Sequence, residues 1–361
     1  MGNETAGVLV GNACTAAINA SLPIQRLDVQ CSPPAPPFLL VVEFCLLALL
    51  LLGNAMVCLI VHRNHTLRNK ANVFVAILAG VNLTFGFFTT SLNLSAFIVN
   101  WHLLPVWCTF GGAINTVFPS ASNITLCFVG IDRLVFIRRP KRYRGICKLP
   151  CFIIGVTYIG VHALLFATLP PLWGWGRYTN NPVLRICVLD FSTSYTFGYI
   201  ALLYGYVLPT SILLACYCSV YRAVRRQVLR VRSEGLTFSL RTLTVRHRVL
   251  RDTRQGFRRT ARTLILMILL HIICWIPFLV VHFVGLQSST SRSPDPVAVC
   301  VSWMFILADL SIQPWTYGMY NHTFRQHVWR AFTCCHLEKR TLCLQLFKNK
   351  PRKYQVSPFT E

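Results

Sequence analysis

The sequence predicts an all-α membrane protein, a seven-transmembrane helix bundle with a short amphipathic eighth helix. Three observations carry this. The chain of 361 residues is 54% hydrophobic and only 13% charged, with mean hydropathy +0.52, too little charge to cover a soluble surface. Seven long apolar runs follow one another, near 38–62, 71–98, 106–138, 149–172, 195–224, 258–285 and 298–320. The basic residues gather in alternate connections between them. Each run is long enough to cross the hydrocarbon core as a helix, some with tilt. None alternates like a barrel strand, and each is far longer than one.

The formal net charge of +24 invites a nucleic-acid partner, but its distribution points elsewhere. Arg63, Arg68 and Lys70 follow the first run. Arg138, Arg139, Lys141, Arg142, Arg144 and Lys148 follow the third, and an Arg-rich stretch from Arg222 to Arg262 follows the fifth. The intervening loops hold few basic residues, among them Arg177, Arg185 and Arg292. Positively charged loops remain cytoplasmic. The expected topology is therefore a multi-pass plasma-membrane protein with its N-terminus extracellular and its C-terminus cytoplasmic. The basic loops then face anionic membrane lipids, and no nucleic-acid role is expected.

In order, residues 1–37 read as an extracellular segment, polar and then Pro-rich, and 38–320 as the bundle. Residues 321–335 read as the amphipathic helix and 336–361 as a cytoplasmic tail. No cleavable signal is visible, so the first run is expected to direct insertion. Asn3 and Asn19 head outer sequons and are the glycosylation candidates. Sequons at Asn64, Asn82, Asn123 and Asn321 fall in the membrane or the cytoplasm, and the one at Asn93 lies near the outer interface. The first run carries Asn54, which needs a partner on another helix. The second carries Asn82. In the third, Cys108 and Asp132-Arg133 are separated by roughly 37 Å at about 1.5 Å per residue, so they reach opposite interfaces. The fourth ends in Pro170-Pro171, followed by Trp173-Gly174-Trp175-Gly176-Arg177-Tyr178 and then Cys187. The fifth has Pro209 and Tyr217, the sixth Cys274-Trp275-Ile276-Pro277, and the seventh Gln313-Pro314-Trp315-Thr316-Tyr317. Phe324-Arg325 and then Cys334-Cys335 come after it.

In their order and spacing these motifs resemble the rhodopsin-like (class A) G protein-coupled receptors, over about residues 38–335. The resemblance implies a disulfide between Cys108 and Cys187. It implies that Trp275 floors a ligand pocket and that Pro277 kinks a sixth helix able to swing. Asp132 and Arg133 would pair at rest and meet a heterotrimeric G protein when active. Tyr217 and Tyr317, the latter in the Pro314 motif, would turn inward to support Arg133. Cys334 and Cys335 are palmitoylation candidates, with free thiols the alternative. Among the other outer cysteines, both Cys31–Cys300 and Cys14–Cys31 remain open.

Departures from the family pattern carry their own expectations. The second-helix acid of the family is Asn82 here. Ser122 matches its third-helix partner, Gln313 replaces an Asn, and Asp309 stands one turn before it. The buried carboxylate is thus expected to have moved to the seventh helix, facing Asn82 and Ser122. No metal is expected, a hydrogen-bonded carboxyl being simpler than a sodium ion there. Pro209, Asn123 and His271 occupy a packing switch that is usually apolar. An Asn123–His271 hydrogen bond is expected, with a neutral His simpler than a pH sensor. Pro119 frees the carbonyl of Asn115 on the pocket face. Val161 replaces a Trp, Leu134 a Tyr, and Phe257 an acid that in some relatives locks Arg133, which suggests raised basal activity.

Pocket candidates are Asn115, Pro119, Cys187, Trp275, Phe278, Leu279, His282, Trp303 and Leu307. Amine receptors resemble one another in an Asp at the place of Asn115, so an amine is disfavoured, although Glu43 or Asp190 offers a carboxylate. His282 and Arg185 suit an acidic or lipid-like ligand. The Pro170–Tyr178 segment resembles that of opsins, but Leu307 stands where their retinal-binding Lys would be, so no retinal and no cofactor is expected. The ligand is unknown, small or lipid-like. The alternative is a receptor-like, non-signalling partner or scaffold that modulates another receptor. A transporter or channel is disfavoured, because the spans hold few ionisable groups (Glu43, Asp309, His162, His271 and His282) and no repeat halves. No catalytic dyad suggests an enzyme.

Overall fold

The computed structural model describes residues 37–63, 70–99, 105–139, 143, 149–181, 183, 185–191, 194–234, 265–286, 295–320 and 324–326. Asn3, Asn19, Cys14, Cys31, Asn64, Phe257, Asn321, Cys334 and Cys335 lie outside the described residues, as do the loops around them. Among the described residues seven helices are long and apolar enough to cross a membrane. They are α1 (Pro37–Arg63), α2 (Lys70–Val99), α3 (Pro105–Arg138), α4 (Leu149–Leu172), α5, α6 (Ile265–Leu286) and α7 (Pro296–Tyr320). The rod α5 runs from Tyr195–Leu202 through a π turn at Leu203–Val207 to Leu208–Glu234. Its apolar content ends near residue 224, but Arg, Gln and Leu are good helix formers and carry the helix on. Of a further helix after α7, residues 324–326 are described. Its Phe324 is almost wholly buried, edge-on to Tyr317 at 5.6 Å.

The bundle is arranged around α3. Of its apolar window 67% is buried inside the protein, against 28% for α4 and α6. Small residues make this possible: Gly111, Gly112, Ser120, Ala121, Ser122 and Gly130 are all buried on it. Two apolar clusters stack along the axis. One, toward Arg133, contains Val57, Leu78, Leu126, Leu213, Met267 and Tyr317. The other, toward Cys108, contains Leu47, Phe85, Tyr206, Trp275, Trp303 and Leu307. Asn54 meets its need on α1 and α7: its Nδ2 donates to the carbonyl of Leu50 at 2.9 Å and, longer, to that of Leu310 at 3.5 Å.

Between α4 and α5 lie two antiparallel strands, β1 (Arg177–Asn181) and β2 (Ile186–Asp190), paired from Arg177↔Asp190 to Asn181↔Ile186. Cys108 and Cys187 form the disulfide that the resemblance implies, fixing β2 to α3. The Tyr178 hydroxyl donates to the Ala167 carbonyl of α4 at 3.0 Å, and burial pushes that phenol up to about 12. Asn181 Nδ2 donates to the Pro296 carbonyl of α7 at 3.1 Å. The hairpin is thus pinned to three helices. Cys300 is a buried thiol without a disulfide among the described residues, and Cys31, its expected partner, lies outside them. The sequon at Asn93 is no surface feature: Asn93 is buried and donates to Glu43 Oε1 at 2.5 Å.

The expected Asn123–His271 bond is absent. Asn123 Nδ2 donates instead to the Gly205 carbonyl at 2.9 Å. The reason is Pro209, which has no N–H to offer the carbonyl four residues before it. In lipid that carbonyl needs a donor, and the α3 amide supplies one. Cys127 Sγ contacts the Pro209 carbonyl at 3.2 Å on the same seam. His271 turns the other way, toward α7.

Two outcomes are expected. A Cβ at Gly112 would overlap the Tyr178 ring. Gly112→Val should lower stability by about 1–3 kcal/mol, the range for overpacking, read as the melting temperature of purified protein. Removing the ring with Tyr178→Ala should relieve much of that loss, and equal losses with and without Tyr178 would contradict the packing argument. Asn123→Ala should cost about 0.6–1.7 kcal/mol, the range for interhelical hydrogen bonds in membranes. In a Pro209→Ala background the regained N–H should make the same change nearly neutral.

Candidate functional site

A cavity of about 100 Å³ lies under the hairpin, between α3, α4, α5, α6 and α7. Its walls include Asn115, Pro119 and Asn123 of α3, Phe166 of α4, Tyr206 of α5, Trp275, Phe278 and His282 of α6, and Ser302 and Trp303 of α7. Val188, Leu189 and Phe191 roof it. No Asp, Glu, Lys or Arg is among its lining residues. Asn115 holds the roof in place: its Nδ2 donates to the Cys187 carbonyl at 3.3 Å, while Thr89 donates to its Oδ1 at 3.4 Å.

Of the residues expected to line a pocket, Asn115, Pro119, Trp275, Phe278, His282 and Trp303 do so. Leu307 does not; it is fully buried in the core beside the cavity. Leu279 packs against the same core, and Cys187 touches the site only through its carbonyl. The carboxylates offered for a cation also lie off the cavity. Glu43 is buried on α1 against Asn93, and Asp190 faces Arg177 at 3.8 Å. Arg185 sits at the hairpin turn with φ 56°. Tyr206, Phe166 and Phe191 are lining residues that sequence reasoning missed. All are aromatic in apolar surroundings, and nothing local marks which of many such residues face inward.

Beneath the cavity the buried Asp309 receives three N–H donors on one oxygen. Trp275 Nε1 donates to its Oδ2 at 3.1 Å and Gln313 Nε2 at 3.0 Å, and His271 Nδ1 meets the same atom at 2.9 Å. The Tyr206 ring stacks on Trp275 at 5.0 Å and on His271 at 5.9 Å. Asp309 makes no hydrogen bond to Asn82 or Ser122, the residues it is expected to face: neither of their side chains has a hydrogen-bond partner among the described residues. The carboxylate is drawn instead to α6, where two ring nitrogens stand on one face a turn apart. Asn82 borders a second void of about 20 Å³ with Asn54, Gln313 and Tyr317. Asp309 Oδ1, Gln313 Oε1, Asn82 Oδ1 and Ser122 Oγ are all buried without a hydrogen-bond partner among the described residues.

At the far end of α3, Asp132 and Arg133 are both buried. The Tyr143 hydroxyl donates to Asp132 Oδ1 at 2.8 Å, a partner beyond the helix that sequence reasoning missed. Tyr217 and Tyr317 are buried in the cluster at this end. Pro314 is buried and Pro277 half-buried, each inside its helix.

Residues 53–317 match the family described as 7 transmembrane receptor (rhodopsin family). A rhodopsin described as Gq-coupled, from Mizuhopecten yessoensis, is 26% identical over 297 residues, 79% of this chain and 58% of that protein's length. Melatonin receptor type 1C of Gallus gallus is 27% identical over 291 residues, 76% of each chain. The crystal structure of squid rhodopsin superposes with a TM-score of 0.71 at 21% identity, covering 89% of this chain and 94% of that one, a likeness of fold. The family match takes in residues of all seven spans, so this multi-pass membrane protein belongs to the rhodopsin family of G protein-coupled receptors.

Proposed function

We propose that the chain is a plasma-membrane receptor that binds a small or lipid-like ligand in the cavity and activates a heterotrimeric G protein at the Arg133 end. The observation that carries this is the double position of Trp275. Its ring walls the cavity, and its N–H is bonded to Asp309 of α7. A ligand that displaces the ring breaks that bond, and α6 then pivots at Pro277, where a backbone hydrogen bond is already missing. The other end of α6 moves away from α3, exposing Asp132 and Arg133, with Tyr217 and Tyr317 closing on Arg133. Basic residues in the last turns of α1 and α3 support a cytoplasmic Arg133 end. The disulfide at the opposite end supports an extracellular hairpin. Asn3 and Asn19 are the proposed glycosylation sites, and Cys334 and Cys335 the proposed palmitoylation sites. The opsin relatives do not extend to light sensing through a retinal Schiff base, because α7 contains no Lys and Leu307 is buried. Phe257 in place of an acid supports raised basal activity. The departures at Asn82, His271, Val161 and Gln313 favour the second reading, a receptor-like partner that does not signal.

Ligand-free G protein activation, measured in cells across the G protein classes, separates the two readings. Wild type should signal, and Arg133→Ala at matched surface expression should not. Silence from wild type in every class would favour the non-signalling partner. Asp309→Ala, which orphans three donors, should raise basal output above wild type, with Asp309→Asn between them. Basal output equal to wild type in Asp309→Ala would remove the latch from this account.

A further inference from the structure

The cavity identifies the chemical class of its ligand, given the reading above that it is the ligand site. Its walls hold no Asp, Glu, Lys or Arg. Asp190 is occupied by Arg177, and Asp309 lies below the floor under three N–H groups. An ion buried there would lack a counter-ion and retain its full desolvation cost. Aromatic faces surround the space: Phe166, Phe191, Tyr206, Trp275 and Phe278. At about 100 Å³ it is somewhat smaller than the roughly 150 Å³ engineered cavity that takes up benzene.

Most polar groups of the lining are already committed. Thr116 and Ser302 donate to carbonyls of their own helices, Ser120 meets His162, and both ends of the Asn115 amide are occupied. Three lining groups are left over, one of them the Tyr206 hydroxyl, which can both donate and accept. Asn123 gives its N–H to Gly205, a carbonyl that can only accept, so its orientation is fixed and Oδ1 remains a buried acceptor without a donor. Trp303 is 6% exposed, and its Nε1 is a buried donor without an acceptor. His282 adds a fourth group. Its Nδ1–H donates to the Phe278 carbonyl at 2.9 Å, so in the neutral ring Nε2 carries a lone pair.

We propose that the cavity takes an uncharged single-ring aromatic molecule bearing both an N–H or O–H donor and a carbonyl-type acceptor, the acceptor meeting Trp303 and the donor Asn123. A group of each kind satisfies the Trp303 donor and the Asn123 acceptor, the amphoteric Tyr206 hydroxyl can serve either group, and the ring fills the aromatic slot. Amines, carboxylates and plain hydrocarbons each fail one of these requirements.

The test uses the purified full chain in lipid nanodiscs, without G protein, and reads the shift in melting temperature with four one-ring probes at equal millimolar concentration. They are acetanilide, toluene, benzylamine and benzoate, representing neutral with donor and acceptor, neutral with neither, cation and anion. Acetanilide should stabilise most, toluene less, and the two ions little or not at all. Trp303→Phe keeps the ring but loses the N–H. It should weaken acetanilide about 10-fold, the scale of one hydrogen bond, and leave toluene unchanged. Ala201→Phe, which narrows the cavity from α5, should abolish both effects. The proposal is overturned if either ion matches acetanilide, if no probe stabilises, or if acetanilide is insensitive to both variants. The comparison of ions with acetanilide needs only the unmodified chain, so it stands even if a variant fails to fold. Because no G protein is present, a negative result leaves the coupling reading untouched.

Discussion

A carboxylate inside a lipid-embedded bundle requires donors, and three side chains meet that requirement at Asp309 Oδ2, while Oδ1 has no partner among the described residues. In a medium without water the cost of an unmet acceptor is several kcal/mol, so the donors must come from whatever packs nearby. They come from Gln313 on the same helix and from His271 and Trp275 on α6. That choice orients α6 against α7 and holds the cavity floor in place. It also makes the Trp275 ring a part of both the ligand wall and the helix interface. Tyr206, stacked on Trp275 and His271, brings α5 into the same unit.

Backbone groups follow the same logic. Proline inside a spanning helix leaves a carbonyl without its donor. Pro209 creates one such vacancy at Gly205, and Asn123 fills it from α3. The replacement ties α3 to α5 at the level of the π turn, where the helix has already departed from its regular bonding. Pro119 frees another carbonyl, that of Asn115, on the cavity wall. A bond deficit at one proline is thus resolved between helices, and at the other it falls on a residue that lines the cavity. The bends that these helices need for movement have causes in the residues that form them.

The roof adds a different kind of constraint. The hairpin is held by a covalent bond to α3, by Tyr178 to α4 and by Asn181 to α7. Its inner strand contributes Val188 and Leu189 to the cavity, so the chamber is closed by apolar side chains rather than open water. With no charged group in the walls, recognition there rests on shape, aromatic faces and a few directed hydrogen bonds.

The number of spans, the limits of α1, α2 and α3 to within about one residue, and the Cys108–Cys187 pair were legible along the chain. Hydropathy, loop charge and motif order are one-dimensional quantities, and a bilayer converts them directly into elements. So was the burial of Asp309, because an acid within an apolar run has nowhere polar to go. Its partners were not legible, nor was the partner of Asn123. Spacing along a helix says which residues share a face but not which neighbouring side chains come within bonding distance of it, here His271 and Trp275. Tyr143 reaches Asp132 from beyond the end of its helix, which no periodicity encodes. The sequence by itself determined that seven helices cross a membrane and which polar groups they carry inside. Only the tertiary structure decided how those groups pair, because pairing depends on helix rotation and on the donors that packing brings within about 3 Å.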